Sequence, residues 1–418
     1  MKNILIKGPI LSQSGYGEQT RFAMRALLSK PDMYNVFLEP INWGKTGWIV
    51  GDDEERNSID QLIGKTIFHE NSGQKYDATI QVTIPNEWQK LSPINIGYTA
   101  GIETTKVAPD WVDKGNEMDR IIVVSNHSKD IYQKTAFTIS DKRTNEVLNA
   151  DYRCKTPIDV VNFPVKEHSS KEVPIELDYD FNFLSVAQWG PRKNIKNTIT
   201  WFVEEFKNKN VGLVLKLNIM NNSTMDYHRS LSKIKELLKK HKDMKCKIYL
   251  LHGDLSPEEM VGLYNHKKIK ALINISHGEG FGLPIFEAAY SGLPIVTVGW
   301  SGQVDYLYAP YYDKKKDKTK IRAHFANVEY DIRQVQEEAV WPGVVEQDSG
   351  WCFAKEMSYR NKIKDVHSNY KKYKDLANSL KAHVLEEHSK EKAYARFTES
   401  IDKCFETSNE ENVEVMVL

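Results

Sequence analysis

The 418-residue chain exceeds one ordinary core of roughly 100–200 residues, so two domains are expected. Its 40% hydrophobic and 11% aromatic content excludes a disordered or fibrous protein, and 57 basic against 57 acidic residues leave no strong nucleic-acid signature. No stretch approaches the roughly 18 apolar residues of a transmembrane segment, which leaves a peripheral membrane contact open.

Met1-Lys2-Asn3 leads into a short apolar run, Ile4 to Ile6, broken by Lys7, which reads as a first strand rather than a signal sequence. Apolar runs then alternate with amphipathic stretches, the pattern of parallel sheets with helical crossovers. Strands are expected at Asn3 to Ile10, Val36 to Leu38, Ala78 to Val82, Ile94 to Tyr98, Arg120 to Val124 and Ile158 to Val161. A helix over Glu18 to Ser29 is expected to bury Phe22, Met24, Leu27 and Leu28. A second series starts with Phe181 to Val186 and continues through Gly212 to Leu217, Lys247 to Leu251, Ala271 to Ile275 and Ile295 to Val298. Lys166 to Tyr179, polar and acidic, is the linker candidate. Domains of 1–170 and 171–391 follow, with a helix from 392–418 completing the first. Ser140 to Thr156 and the lysine-rich Tyr311 to Lys320 read as solvated loops. The tail His367 to Glu406 reads as helices, with Tyr394, Phe397, Ile401 and Phe405 on one face. Cys154, Cys246, Cys352 and Cys404 lack the paired spacing of a zinc site or disulfide framework, which points to a reducing, cytoplasmic compartment.

The most informative segment is Ala271 to Ser301. An apolar run passes through the turn His277-Gly278-Glu279-Gly280-Phe281-Gly282 into a short helix at Pro284, stopped by Gly292. Such a turn exposes backbone N–H groups and the positive end of a helix dipole, a site for phosphate or a sugar oxygen. Glu279 and Glu287 flank it. Carboxylates repel phosphate but suit hydroxyls, and a nucleotide sugar offers both groups. Gly15 and Gly17, after the first strand, allow close backbone approach without the Gly-x-Gly-x-x-Gly spacing of a dinucleotide fold. Arg192 and Lys193 follow the Phe181 strand, where ligands sit in doubly wound sheets.

Together, Ser14-Gly15-Tyr16-Gly17, Val186 to Lys193, Gly253-Asp254-Leu255-Ser256 and Glu279-Gly280-Phe281-Gly282-Leu283-Pro284 running to Glu287, Gly292 and Pro294 resemble the retaining glycosyltransferases of family four. The resemblance implies an α/β GT-B fold, two Rossmann-like doubly wound domains facing each other across a cleft. It implies transfer of a sugar from a nucleoside diphosphate sugar donor to an unidentified acceptor hydroxyl, with no cofactor and no metal. Glu279 would contact the donor sugar near the reacting carbon, Glu287 the ribose hydroxyls, and Lys193 the diphosphate. Backbone N–H groups of Gly280, Phe281, Gly282 and Leu283 would bind sugar hydroxyls or phosphate. Glu103 would take the place of a family histidine that touches the donor's distal hydroxyl. One departure stands out: the family places an arginine after a glycine where this chain has Ala187-Gln188, and Arg192 is the candidate to supply that charge.

Two other readings stay open, a non-catalytic nucleotide- or carbohydrate-binding protein on the same fold and a nucleotide-sugar epimerase. Asp178-Tyr179-Asp180 matches a metal-binding signature of another glycosyltransferase fold, but it precedes a strand instead of ending one. His127 is expected to be structural. Trp43, Trp48, Trp88 and Trp189 are acceptor-site candidates, since sugars stack on exposed rings.

Overall fold

A computed structural model describes residues 1–410 apart from Lys45, Asp52 and 314–316; the side chains of Asp313 and 407–410 are likewise outside the described set. The lysine run Lys314-Lys315-Lys316 and the end of the tail therefore lie outside the described residues.

In chain order the first series is β1 (Lys2–Gly8), α1 (Gly15–Leu28), β2 (Tyr34–Pro40), α2 (Glu54–Asn71), β3 (Ala78–Gln81), β4 (Ile94–Thr99), α3 (Pro109–Asn116), β5 (Arg120–Val123), α4 (Asn126–Lys134), β6 (Ala136–Ser140), β7 (Val147–Arg153) and β8 (Ile158–Val160). The second is β9 (Asn182–Gln188), α5 (Ile195–Phe206), β10 (Gly212–Asn218), α6 (Thr224–Leu238), β11 (Lys247–Leu251), α7 (Pro257–Tyr264), β12 (Ile269–Asn274), α8 (Leu283–Ser291), β13 (Ile295–Val298), α9 (Val304–Leu307), β14 (Tyr308–Asp313), β15 (Lys318–Ala323), β16 (Ala326–Val328), β17 (Tyr330–Gln334) and β18 (Gly350–Ala354). Helices α10 (Glu356–Ser368), α11 (Tyr370–Glu387) and α12 (Lys390–Glu410) close the chain.

Two six-stranded parallel sheets form, in the orders β2-β1-β3-β4-β5-β8 and β11-β10-β9-β12-β13-β16. Central strands are buried on both faces, as parallel strands under helices must be: Ile4, Ile6 and Ile80 on one face and Leu5 and Thr79 on the other in the first sheet, and Phe183, Leu184, Leu272 and Val296 in the second. The strand order reverses between β1 and β3 in one sheet and between β9 and β12 in the other. In doubly wound sheets those reversals open a crevice at the carboxyl ends of the strands.

The chain divides into two compact units. One holds Met1–Pro164, Trp341–Glu346 and helix α12; the other holds Val165–Val340 and Gln347–Ser389. Helix α12 packs on α1, with Phe397 against Phe22 at 5.4 Å between ring centroids and against Tyr98 at the same distance. The segment Trp341–Glu346 joins the first unit through the bond from Trp111 Nε1 to Gly343 O.

Several expectations need correction. The division falls between Pro164 and Val165 instead of after residue 170, because the supposed linker is packed on the second unit. Val165 N donates to His388 O at 2.8 Å, Lys171 N to Glu258 O at 3.0 Å, and Val173 and Leu177 are buried. Ser140 to Thr156 and Tyr311 to Lys320 are not loops but contribute to the antiparallel hairpins β6–β7 and β14–β15. Strands β6, β7 and β15 are largely solvated on both faces, so no alternation of apolar and polar residues marked them. Leu28 is exposed at the end of α1. The helix starts earlier than expected, at Gly15, because Ser14 caps it by accepting from Gly17 N.

Candidate functional site

The second unit places Arg192 and Lys193 on a 3-10 turn, Pro191–Lys193, directly after β9, and Glu279 on the glycine turn after β12. These are the two strands that flank the reversal of the sheet, so three side chains distant in sequence meet at its crevice. Glu279 is buried at 4% exposure. Lys193 Nζ lies 2.6 Å from Oε1 and 2.8 Å from Oε2, and Arg192 Nη1 lies 2.9 Å from Oε2. Arg192 Nη1 also donates to Gly278 O at 2.6 Å. Burial pushes the Glu279 carboxyl up, but Lys193 and Arg192 outweigh it and hold the pKa at about 2. The group is a buried anion stabilised by two cations.

The turn is held from several sides. Glu279 N donates to Ser301 Oγ at 2.9 Å, and Ser301 Oγ donates to the buried Gln303 Oε1 at 2.8 Å. Tyr306 Oη bonds Phe281 O and Gly282 O at 3.0 and 2.9 Å, and the Phe281 ring packs on Phe286 and Tyr306. Gly282, with φ +85°, caps α8 in the left-handed region that a side chain disfavours. Its carbonyl accepts from Ile285 N and Phe286 N, so the start of α8 turns at this residue. The helix begins at Leu283 with Pro284 in its first turn and ends at Gly292, φ +72°, as the residue types require.

Sequence reasoning missed the support beneath the turn. His277 is buried, stacks on Trp351 at 5.1 Å, and bonds Cys352 O through Nδ1 at 2.7 Å. Trp351 Nε1–H donates to Gln336 Oε1 at 2.8 Å, which orients the Gln336 amide so that its Nε2 donates to His277 Nε2 at 3.0 Å. That order leaves the proton on His277 Nδ1, an assignment made by the network. Burial lowers the His277 pKa, and Arg333 and Arg192 lower it further, so the ring is neutral. His277 N donates to Arg192 O at 2.8 Å, tying this buried chain to the cation. The glycine turn hinted at His277; nothing local marked Gln336 or Trp351.

The remaining candidates are placed less centrally. Glu287 sits half-buried on α8 and accepts from Tyr264 Oη at 2.9 Å. Gln188 Nε2 donates to Ile219 O at 3.1 Å and so supports a neighbouring loop. Asp178 bonds Lys247 Nζ and Tyr249 Oη at 2.7 and 2.9 Å.

In the first unit, Gly15 and Gly17 follow β1, and Glu103 follows β4 on the same sheet edge. A Cβ on Gly17 would stand 1.9 Å from Ser12 O, so only glycine fits; at Gly15 it would meet nothing. Tyr16 Oη shares a hydrogen bond with Thr99 Oγ1 at 2.7 Å, and Glu103 adds to the burial that raises its pKa. His127, the second residue of α4, is pushed down to about 4 by burial. Trp88 is fully buried and Trp189 half-buried against the core of its unit, so neither offers an open stacking face. Trp43 packs on Tyr16 at 4.4 Å, and Trp48 is 52% exposed.

No family model matches the sequence. The fold matches sucrose-phosphate synthase (tll1590) from Thermosynechococcus elongatus with a TM-score of 0.63 at 12% identity, over 97% of this chain and 100% of that one. It matches Alr3699/HepE of Anabaena, solved with UDP and glucose, with a TM-score of 0.56 at 13% identity over 96% and 100% of the two chains. The lipopolysaccharide outer core galactosyltransferase WaaB gives 0.55 at 13% identity over 96% and 99%. The chain thus has the GT-B fold seen in glycosyltransferases. In sequence, 118 residues are 34% identical to the serotype-specific mannosyltransferase WbdA of Escherichia coli, a match covering 28% of this chain and 13% of that protein.

Proposed function

We propose that the chain is a retaining, metal-independent glycosyltransferase that moves a sugar from a nucleoside diphosphate sugar to an acceptor hydroxyl. The observation that carries this reading is the buried Glu279 carboxylate held by Arg192 and Lys193 at 2.6–2.9 Å, on a glycine turn at the reversal of the second sheet. A site for phosphate alone gains nothing from a fixed anion, whereas a donor with a diphosphate and a sugar uses both signs of charge. The 118-residue stretch that is 34% identical to a mannosyltransferase and the UDP and glucose held by HepE support the same class of donor.

In the reaction, the bond from the anomeric carbon to the diphosphate oxygen breaks, and its electron pair leaves with the diphosphate. The acceptor oxygen bonds to the same face, and its proton passes to a phosphate oxygen of the leaving group. No protein nucleophile is needed. Lys193 and Arg192 stabilise the departing charge and Glu279 the positive charge developing on the sugar ring. Glu287 meets the ribose hydroxyls, and the backbone of Gly280 to Leu283 meets phosphate or sugar oxygens. Gly15, Gly17 and Glu103 are the first unit's candidates for ligand contact. The buried cysteines Cys154, Cys246, Cys352 and Cys404 are not joined in disulfides, which supports a cytoplasmic setting. Among the described residues, no helix is long and apolar enough to cross a membrane.

The test is incubation of the full chain with UDP-, GDP- and ADP-sugars and candidate acceptor hydroxyls. Release of one nucleoside diphosphate, surviving exhaustive chelation and giving a product with the donor's anomeric configuration, is expected. Binding without release would leave a binding protein, and a changed sugar nucleotide in the absence of acceptor would identify an epimerase.

A further inference from the structure

The amino end of β12, opposite the end that carries the glycine turn, opens into a pocket of about 150 Å³. Its walls include Tyr264, His266, Lys267, Lys270, Tyr370 and Lys374, and no carboxylate lines it. Lys270 Nζ donates to Lys267 O at 2.6 Å and Lys374 Nζ to Gly292 O at 2.7 Å, so both ammonium groups rest on carbonyls. Tyr264 Oη donates to Glu287 at 2.9 Å.

These cations crowd one another. Burial lowers the Lys374 pKa, and Lys381 and Lys270 lower it further. Burial also lowers His266, with Lys267, Lys268 and Lys270 acting in the same direction and Glu172 against them. Helix α11, 18 residues long, starts at Tyr370 with no acidic residue in its first turn and no side-chain cap from Asn369. The Asp365 carboxylate of α10 bonds Lys372 Nζ in that first turn at 3.4 Å, so the positive charge of the pocket comes from its lysines and not from the helix start. Gathered positive charge on a concave wall that no carboxylate lines is what an anion site requires.

We propose that this pocket binds a small phosphate-class anion at a site separate from Arg192 and Lys193. The binding does not depend on the transfer reaction proposed above. Lys267 holds the anion from the turn before β12, Lys270 from the start of β12, and Lys374 from the second turn of α11.

Inorganic phosphate is the probe, and hydrogen–deuterium exchange of the full chain locates it. Phosphate at millimolar concentration is expected to slow exchange in residues 264–270 and 369–376. Lys270→Gln with Lys374→Gln is expected to weaken that effect roughly tenfold in phosphate concentration, as for the loss of charge-assisted contacts. Protection at the glycine turn, 277–283, should persist in the same variant. If the double variant does not fold, Lys270→Gln alone provides the measurement, since its ammonium bonds the Lys267 carbonyl and lies over the Tyr370 ring, with no carboxylate in the pocket lining to pair with it. Protection confined to 277–283, or unchanged protection at 264–270 in the variant, would overturn the proposal.

Discussion

Glu279 combines burial, which favours the neutral acid, with two cations that favour the anion, and the cations prevail at a pKa of about 2. A carboxyl titrating lower in the folded than in the unfolded chain stabilises the fold fully above the unfolded pKa. That stabilisation is lost as pH falls toward 2. Denaturant unfolding at pH 7 and pH 3 should therefore show the native protein losing about 2 kcal/mol more than Glu279→Gln. Equal losses would mean that the ion pairs contribute nothing to the fold. The same substitution releases Arg192 and Lys193 from an internal anion. Calorimetry with the cognate nucleoside diphosphate should show affinity for the free ligand kept or increased, while turnover falls roughly 10²–10³-fold. Lys193→Ala should instead weaken that ligand roughly tenfold, by loss of a charge-assisted contact.

At the scale of elements, the glycine turn and α8 act as one device. Gly282 at φ +85° lets the chain reverse from the turn into the helix, and Tyr306 holds the carbonyls on either side of that reversal. Gly282→Ala places a Cβ in the left-handed region at a cost of about 1–2 kcal/mol. A lower melting temperature together with weaker nucleoside diphosphate binding is expected, and an unchanged protein would show that the turn tolerates a side chain. The hairpins β6–β7 and β14–β15 are the opposite case. Turn-forming bonds such as Asp141 Oδ1 accepting from Arg143 N and Thr144 N hold the first of them, while its strands face water on both sides. Sequence periodicity reports burial on one face, so elements without a buried face leave little trace.

At the scale of the whole molecule, the chain order and the structural units differ. Helix α12 belongs to the unit formed by the first half of the chain, where Phe397 is fully buried against Phe22 and Tyr98. Phe397→Ala should cost about 3–5 kcal/mol of that unit's stability by leaving a cavity. Affinity for nucleoside diphosphate should not change at a temperature where the variant is folded, because the Glu279 cluster lies in the other unit. Loss of binding in the folded variant would show that the first unit governs the ligand site.

The alternation of apolar runs, the break between two series of strands, and the glycine turn with the short helix that stops at Gly292 are local properties, and residue types alone determined them. The pairing of Lys193 with Glu279, 86 positions apart, is not local. It exists because β9 and β12 lie side by side in a sheet whose order is not the chain order. The same holds for Trp351 and Gln336 beneath His277, and for residues 165–179, which lack a strong apolar pattern yet pack on the second unit. Periodicity decides which residues are buried in an element. Only tertiary packing decides which element's end each charge faces, and so whether Lys193 meets water, phosphate or a carboxylate.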